Sequence, residues 1–127
     1  METWIIAVES DCTDPKHEDE FNDWYDNIHI PDCLTSPGYE SAIRYQIEKP
    51  EPGRGKYLTL YEVRTDNVAE TWRVRGERRE RERAIGAYSG GGQYVDGRLL
   101  GFYKLMRPTF TKKNTPRAPY AHSANPD

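Results

Sequence analysis

A histidine followed three residues later by an aspartate is the pair of side chains best suited to move a proton. His29 lies at the end of an amphipathic stretch, and Asp32 follows it. A carboxylate that accepts from one imidazole nitrogen leaves the other free for general acid–base catalysis. We expect His29 at the carboxyl end of a helix, where the helix dipole favours the imidazolium and hence a proton donor. The alternative is that His29 only caps the helix and Asp32 begins a turn.

Two tyrosines on neighbouring predicted strands are the next candidates. Tyr45 and Tyr61 each lie on the tyrosine-bearing side of an alternating segment, so their hydroxyls could project together and hold a carbonyl or enolate oxygen. Filling of half-buried sheet positions is the alternative for each of them. Arg44 lies on the other side of its strand from Tyr45, and we expect it to pair with a helix carboxylate.

The remaining site candidates are aromatic. We expect a substrate pocket to be lined by Trp24, Tyr25, Tyr39 and Trp72. For the two tryptophans the helical spacing favours core packing over ligand stacking, although both would still shape the pocket. His29, Asp32 and either cysteine are too loosely spaced to indicate a metal site, so we predict no metal and no cofactor.

The first half of the chain must position these residues with one strand, one helix and a hairpin. Residues 4–8 form a short β-branched run, and Asp14 with Pro15 is a favourable helix start. Apolar residues at helical spacing follow, and Pro31 predicts that the helix ends near His29. Residues 39–47 and 57–63 alternate in polarity, which predicts two strands joined by a glycine-containing loop.

The second half repeats a helix and a strand. Residues 66–88 predict a second helix, whose middle, residues 75–83, has no apolar side chain and should be exposed or meet an acidic partner surface. We expect the arginine-rich helix to meet the acidic first helix of a neighbouring copy. The run Gly90 to Gly92 lacks the strand-to-helix context of a phosphate loop, which indicates a flexible loop. Residues 99–106 predict the last strand.

The element order is therefore βαββαβ, which is the ferredoxin-like arrangement of an α+β fold: four antiparallel strands with two helices on one face. The other sheet face would be uncovered and apolar in a monomer, so we expect a homodimer or a higher homo-oligomer. Residues 1–107 should form this single domain. Residues 108–127 are polar and proline-rich, and they predict a tail that is flexible or wraps a partner subunit.

One segment carries a family resemblance. The helix with Phe21, Trp24 and Tyr25, the His-x-Pro of residues 29–31, the Pro-Gly of residues 37–38 and the Arg-Tyr of residues 44–45 together resemble the EthD-like branch of the dimeric α+β barrel superfamily. The resemblance implies a homodimer in which two sheets face each other to form a barrel, with a pocket between sheet and helices in each protomer. Its members include isomerases, polyketide cyclases, dehydratases and haem- or oxygen-dependent enzymes, so the fold does not select one reaction.

Charge and composition exclude some functions. The net charge is −3, with ten acidic residues and one lysine in the first 32 positions, which disfavours nucleic-acid binding. No apolar run is long enough to cross a bilayer, and no secretory signal opens the chain, so we expect a soluble cytoplasmic protein without membrane partners.

The function that these residues favour is that of a cofactor-independent small-molecule enzyme. It would be a cyclase, isomerase or dehydratase acting on a hydrophobic oxygenated compound such as a polyketide or aromatic-pathway intermediate. His29 would be the general acid–base, Asp32 its orienting partner, and Tyr45 or Tyr61 the enolate-stabilising hydroxyl. The alternatives are a non-catalytic small-molecule-binding dimer and a haem- or oxygen-dependent oxidative enzyme.

Overall fold

A computed structural model describes residues 1–120, which form one four-stranded antiparallel sheet with helices on one face. The strands are β1 (Glu2–Cys12), β2 (Tyr39–Gln46), β3 (Tyr57–Thr65) and β4 (Val95–Lys104). Their order across the sheet is β2-β3-β1-β4, so the first and third strands lie at the centre. The predicted ferredoxin-like βαββαβ fold is confirmed.

The helices begin where the sequence supplies caps. A 3-10 turn, Pro15–His17, precedes α1 (Glu18–Trp24), and the Asp14 carboxylate accepts from the amide of Lys16. The helix then passes through a π-helical turn, Tyr25–His29, into α2 (Ile30–Leu34). The longer α3 (Val68–Ala84) is capped by Asn67, and a second 3-10 turn, Gly90–Tyr94, leads into β4.

The prediction that the first helix ends near His29 is wrong, because the chain stays helical through Pro31 to Leu34. The amide of Ile30 donates to the carbonyl of Tyr25, five residues back, as in a π-helix. Proline has no amide to donate, and its ring clashes with the carbonyl four residues earlier in a regular α-helix. The wider turn before Pro31 relieves that clash, and His29 consequently lies within the helix.

The two faces of the sheet separate Tyr45 from Tyr61. Tyr61 lies opposite Ala42 and Ile6, on the face that the helices cover, whereas Tyr45 lies opposite Leu58 on the other face. Because residues directly opposite each other share a face, the two tyrosine hydroxyls do not project together. Exposure agrees, since Tyr61 is 2% exposed and Tyr45 is 50% exposed. The expected pairing of these hydroxyls is therefore wrong.

The uncovered face of the sheet is largely apolar. Ile43, Tyr45 and Tyr103 are each about half exposed on this face, with Leu60 between them on the central strands. At one end the loop between β2 and β3 folds back over the sheet, where Arg54 and Gly55 cover the carboxylate of Glu9. The rest of this face is open to solvent in a single chain.

Two apolar clusters fill the space between sheet and helices. The first contains Ile6, Cys33, Tyr39, Tyr61, Val63 and Val68, and the second contains Cys12, Phe21, Trp24, Tyr25, Tyr57 and Tyr88. His29 contacts Cys33 of the first cluster and Trp24 and Tyr88 of the second. The imidazole therefore lies where the two clusters meet.

The arginine-rich middle of α3 is only partly exposed, which corrects the expectation that residues 75–83 face solvent or a partner. Arg75 is 2% exposed, and its guanidinium binds both carboxylate oxygens of Glu82 and the hydroxyl of Ser36. Arg73, on the outer side, pairs with Glu70 and Glu77 of the same helix. Much of the charge of α3 is thus satisfied within the chain.

Beyond the sheet, residues 108–120 are exposed and contain turns but no helix or strand. The last part of the predicted tail, residues 121–127, lies outside the described residues. Within residues 1–120, no helix is both long and apolar enough to cross a membrane.

Candidate functional site

The candidate site is a cleft between α3 and the sheet, with His29 on its floor. Its volume is about 430 Å³, and it is walled by β1 and β4 on one side and by the aromatic and basic face of α3 on the other. Its walls include the side chains of Val8, Ser10, Tyr25, Trp72, Arg79, Arg83 and Tyr88. A cleft of this size accommodates a small organic molecule.

Each nitrogen of the His29 ring has a polar neighbour. The hydroxyl of Tyr88 lies 3.5 Å from Nδ1, and Sγ of Cys33 lies 3.6 Å from Nε2. The expectation that Asp32 orients the ring is wrong, because among the described residues the ring nitrogens have Tyr88 and Cys33 as neighbours and no hydrogen bond joins them to Asp32. Burial raises the pKa of the Asp32 carboxyl, and the charge of Glu82 raises it further.

The charge state of His29 is also the reverse of the expected one. Burial is the main cause that lowers the pKa of His29 to about 3, and the guanidinium groups of Arg75, Arg79 and Arg44 lower it further. The predicted effect of a helix terminus is absent, because the helix continues for five residues beyond His29. His29 is therefore neutral near pH 7, and it can accept a proton but has none of the charge of an imidazolium donor.

A smaller pocket adjoins the cleft. It has a volume of about 40 Å³ and shares Val8, His29, Trp72 and Arg79 with the cleft. Its other walls are buried side chains: Cys33, Tyr39, Tyr61 and Arg75. We call it the inner pocket, and its volume suits one or two non-hydrogen atoms.

Hydroxyl and thiol groups surround this end of the site. Thr59 donates to the Tyr25 hydroxyl over 3.2 Å, and the Cys33 thiol donates to the Tyr61 hydroxyl over 3.6 Å. Burial raises the pKa of both Tyr61 and Cys33, so these groups stay protonated near pH 7. A protonated buried thiol is a poor nucleophile, which disfavours covalent chemistry at Cys33.

Three of the four residues predicted to line the pocket do so, and the fourth, Trp24, does not line either cavity. Trp72 lines both the cleft and the inner pocket, Tyr25 lines the cleft and Tyr39 lines the inner pocket. A register shift in β2 between Tyr39 and Ser41 brings Tyr39 to the helix side of the sheet. Trp24 lies behind His29, where its indole N–H donates to the carbonyl of Ala87 over 2.8 Å.

Arg44 pairs with a carboxylate of the first helical segment, as its position on the strand predicts. Its guanidinium donates to Asp26 over 2.8 Å and to Asn22 over 2.9 Å, and it lies 4.2 Å above the Tyr25 ring. The pairing of Arg44 with a helix carboxylate is therefore confirmed.

Sequence reasoning missed four residues of the site: Arg79, Arg83, Tyr88 and Ser10. Trp72, Arg79 and Arg83 are spaced by seven and four residues, which places them on one side of a helix, and this spacing could have identified the basic wall. Tyr88 and Ser10 carry no such signal, because they reach the cleft from a loop and from the end of a strand. Within residues 1–120, no three His, Cys, Asp or Glu side chains lie close enough together to hold a metal ion.

Comparison with known proteins gives a family and a fold. Residues 5–96 match the family described as "Domain of unknown function (DUF4286)". None of the curated proteins compared with the chain matches it.

Solved structures that are similar to this chain include three proteins, and the two with TM-scores above 0.5 share its fold. A dimeric ferredoxin-like protein from an uncultured marine organism is 9% identical, with a TM-score of 0.55 over 88% of this chain and 95% of that chain. HapK from Hahella chejuensis is 13% identical, with a TM-score of 0.51 over 93% and 98%. An ethyl tert-butyl ether d (EthD) family protein from Bacillus halodurans C-125 is 16% identical, with a TM-score of 0.46 over 78% and 96%. At these identities the likeness concerns the fold alone.

Proposed function

The chain belongs to the DUF4286 family, and we propose that it is a small-molecule enzyme that moves a proton on an oxygenated substrate, using His29 as the base. Isomerisation, cyclisation and dehydration all begin with such a step, and a polyketide-like or aromatic-pathway compound has the acidic C–H bonds that it needs. The observation that carries the proposal is an imidazole that lines a substrate-sized cleft and has the Tyr88 hydroxyl 3.5 Å from its Nδ1.

In the proposed mechanism His29 removes a proton from a carbon next to a carbonyl group. The electron pair of the broken C–H bond moves onto the carbonyl oxygen, which becomes an enolate oxygen. Buried hydroxyl groups on the walls of the inner pocket, foremost that of Tyr61, donate to this oxygen. The imidazolium then returns the proton, either to another carbon for isomerisation or to a departing hydroxyl for dehydration.

Two of the residues first considered for catalysis have no part in this mechanism. Tyr45 is on the far side of the sheet from the cleft, and no hydrogen bond joins Asp32 to the imidazole among the described residues. The environment of His29 is instead set by Tyr88 and Cys33. Tyr88 is the proposed positioning residue at Nδ1, which leaves Nε2 on the side of the inner pocket.

We also propose that the protein is a homodimer whose uncovered sheet faces meet. The exposed apolar side chains of Ile43, Tyr45 and Tyr103 support this, because water contact with such a face is unfavourable. A ferredoxin-like protein of the same fold is described as dimeric, which adds to that support. The cleft lies on the helix side of the sheet, so each protomer keeps its own site.

The proposed chemistry is tested by exchange of carbon-bound protons with solvent. A panel of small ketones, β-diketones and β-keto acids is incubated in D2O, and proton loss next to the carbonyl is followed by NMR. We expect the protein to accelerate exchange for a subset of the panel. His29→Gln should reduce that rate by about 10²- to 10⁴-fold, because a positioned general base contributes about that much. His17→Gln, on the surface in the first turn, is the matched control.

Two results would count against the enzyme. The role of His29 fails if the His29→Gln protein keeps the exchange rate while its circular dichroism and oligomeric state match those of the parent chain. Saturable binding of panel compounds with no exchange at all would favour the second candidate, a non-catalytic small-molecule binder. The low pKa of His29, which makes the imidazole a weak base, is the observation that favours this second candidate.

A further inference from the structure

The inner pocket contains a buried hydroxyl whose hydrogen-bonding capacity is unused. Tyr39 is 7% exposed, and its hydroxyl has no hydrogen-bond partner among residues 1–120. Its pKa is raised mainly by burial, and Arg75 and Arg79, whose charges act in the opposite direction, line the same pocket. Leaving a buried hydroxyl unpaired costs about 1–3 kcal/mol, which a bound acceptor would recover.

A second unused hydroxyl lies on the wall of the cleft. Ser10 is 1% exposed, and its Oγ also has no partner among the described residues. The two hydroxyls line two adjacent cavities that share wall residues, Ser10 the cleft and Tyr39 the inner pocket. This distribution suits a ligand that carries hydrogen-bond acceptors at two separated positions.

The same space has an excess of positive charge. Neither Arg79 nor Arg83 forms an ion pair with a side chain of residues 1–120; each instead lies over an aromatic ring of the cleft. The guanidinium carbon of Arg79 is 5.6 Å from the Trp72 ring centre, and that of Arg83 is 4.2 Å from the Tyr88 ring centre. The acidic wall residues Glu80 and Asp96 are exposed at the rim.

Arg79 and Arg83 differ from three other arginines of the region, each of which has a carboxylate partner. Arg75 is neutralised by Glu82, Arg44 by Asp26 and Arg98 by Glu9. Arg79 is the one arginine of this group that lines both the cleft and the inner pocket without a carboxylate partner in the described part of the chain. An anionic ligand group at the junction of the two spaces would supply that partner.

We propose that the cleft binds a small planar organic carboxylate, with its carboxylate at the junction with the inner pocket, where Arg79 neutralises the charge and the Tyr39 hydroxyl donates to one oxygen. The apolar body of the ligand lies along Trp72 and Val8 in the cleft. The proposal deepens the proposed function, because it names the substrate class of the same site. Binding of the anion also offsets the arginine charges that lower the pKa of His29, while burial, the larger cause, remains.

Benzoate is the probe for the test, and benzamide is its neutral counterpart of nearly the same shape. Binding to the full chain is measured by isothermal titration calorimetry and by tryptophan fluorescence. We expect saturable benzoate binding at least 10-fold tighter than that of benzamide. Arg79→Gln should weaken benzoate binding at least 10-fold and bring it close to that of benzamide. Tyr39→Phe, which removes only the hydroxyl, should weaken it about 3- to 10-fold through loss of one charge-assisted hydrogen bond.

Arg73→Gln is the control, because Arg73 is exposed on the outer side of α3, and it should bind benzoate within 2-fold of the parent chain. The proposal is overturned if benzoate binds no tighter than benzamide, if neither binds saturably, or if Arg79→Gln and Arg73→Gln bind benzoate equally. The benzoate–benzamide comparison uses the parent chain, so it holds even if a variant folds poorly. Benzoate binding without any proton exchange on the carbonyl panel would refute the enzyme while leaving the carboxylate site intact.

Discussion

The imidazole of His29 is stacked on the indole of Trp24, with ring centres 5.0 Å apart and ring planes inclined by 18°. The indole itself is fixed from behind by Gly91 and Gly92 and by a hydrogen bond from its N–H to the carbonyl of Ala87. The position of the candidate base therefore depends on a segment about 60 residues later in the chain. The prediction that Gly90 to Gly92 form a flexible loop is wrong, because Gly91 and Gly92 are buried in a 3-10 turn.

The contact between Gly92 and Trp24 leads to the first prediction. A Cβ at residue 92 would lie 2.6 Å from Cε2 of Trp24, closer than real Cβ contacts. Gly92→Ala should therefore lower the free energy of unfolding by about 1–3 kcal/mol, as overpacking does, and displace the indole from His29. Urea unfolding and the NMR shifts of the His29 ring measure the two effects.

Gly76→Ala is the matched control, because the Cβ there would be 3.5 Å from an Arg79 nitrogen, an ordinary contact, within a helix. It should raise the free energy of unfolding by about 0.5–1 kcal/mol. Equal effects of the two substitutions would show that Gly92 is not a tight contact.

The order of the elements followed from local sequence, whereas the site depended on long-range geometry. Alternation in residues 57–63 identified the strand and its two sides, and Asp14 with Pro15 marked the helix start. The register between β2 and β3 is set by the whole sheet, however, and it placed Tyr45 on the face away from Tyr61. Alternation alone says which residues share a side of one strand, but not which side meets the helices.

The same limit applies to His29 and to Arg75. A proline normally predicts a helix end, and only the π-helical turn before Pro31 overrides it. An arginine in a charged run predicts exposure, and Arg75 is buried because Glu82 and Ser36, from different elements, converge on it. Neither effect has a signal within the few residues that a sequence pattern compares.

A second prediction concerns Glu9, which anchors the loop between β2 and β3. Its carboxylate is 3% exposed and accepts from Arg54, Arg98 and the amide of Gly55. Glu9→Gln should lower the free energy of unfolding by about 1–3 kcal/mol, since the two arginines lose a charged acceptor but remain partly exposed. Urea unfolding at pH 7 measures the loss.

Glu70→Gln provides the comparison, because its pair with Arg73 is exposed to solvent and should contribute much less to stability than the buried carboxylate of Glu9. The bond from Arg54 is the main cause that lowers the pKa of Glu9 to about 2. The contribution of ionised Glu9 to the free energy of unfolding is complete above the ordinary pKa near 4.5 and is lost as the pH falls towards 2. An effect of Glu9→Gln no larger than that of Glu70→Gln would contradict the anchoring role.

A third prediction tests the proposed dimer. Ile43→Glu and Tyr103→Glu each place a charge on the uncovered sheet face, so the doubly substituted chain should sediment as a monomer at concentrations where the parent chain is a dimer. Ile85→Glu is the control, because Ile85 is 84% exposed just after α3 and away from that face. Analytical ultracentrifugation distinguishes the two masses. A monomeric parent chain, or a dimer that survives both sheet substitutions, would exclude this interface.

The fourth prediction follows from the pKa of His29, which is lowered from 6.5 to about 3 in the folded chain. Below about pH 6.5 the unfolded chain takes up a proton that the folded chain does not, so the contribution of this residue to stability is full above pH 6.5 and falls as the pH approaches 3. Between pH 7.5 and 5.0 the parent chain should lose about 1–2 kcal/mol more of its unfolding free energy than His29→Gln loses.

Urea unfolding of both chains at pH 7.5, 6.0 and 5.0 measures this difference while Glu9, with its pKa of about 2, stays ionised throughout. The comparison concerns the pH dependence and not the absolute stability, because His29→Gln also removes the stacking on Trp24. His17→Gln should retain the pH dependence that the parent chain owes to His29. Parallel pH profiles for the parent chain and His29→Gln would mean that folding leaves the pKa of His29 near its ordinary 6.5, which would contradict the lowered pKa.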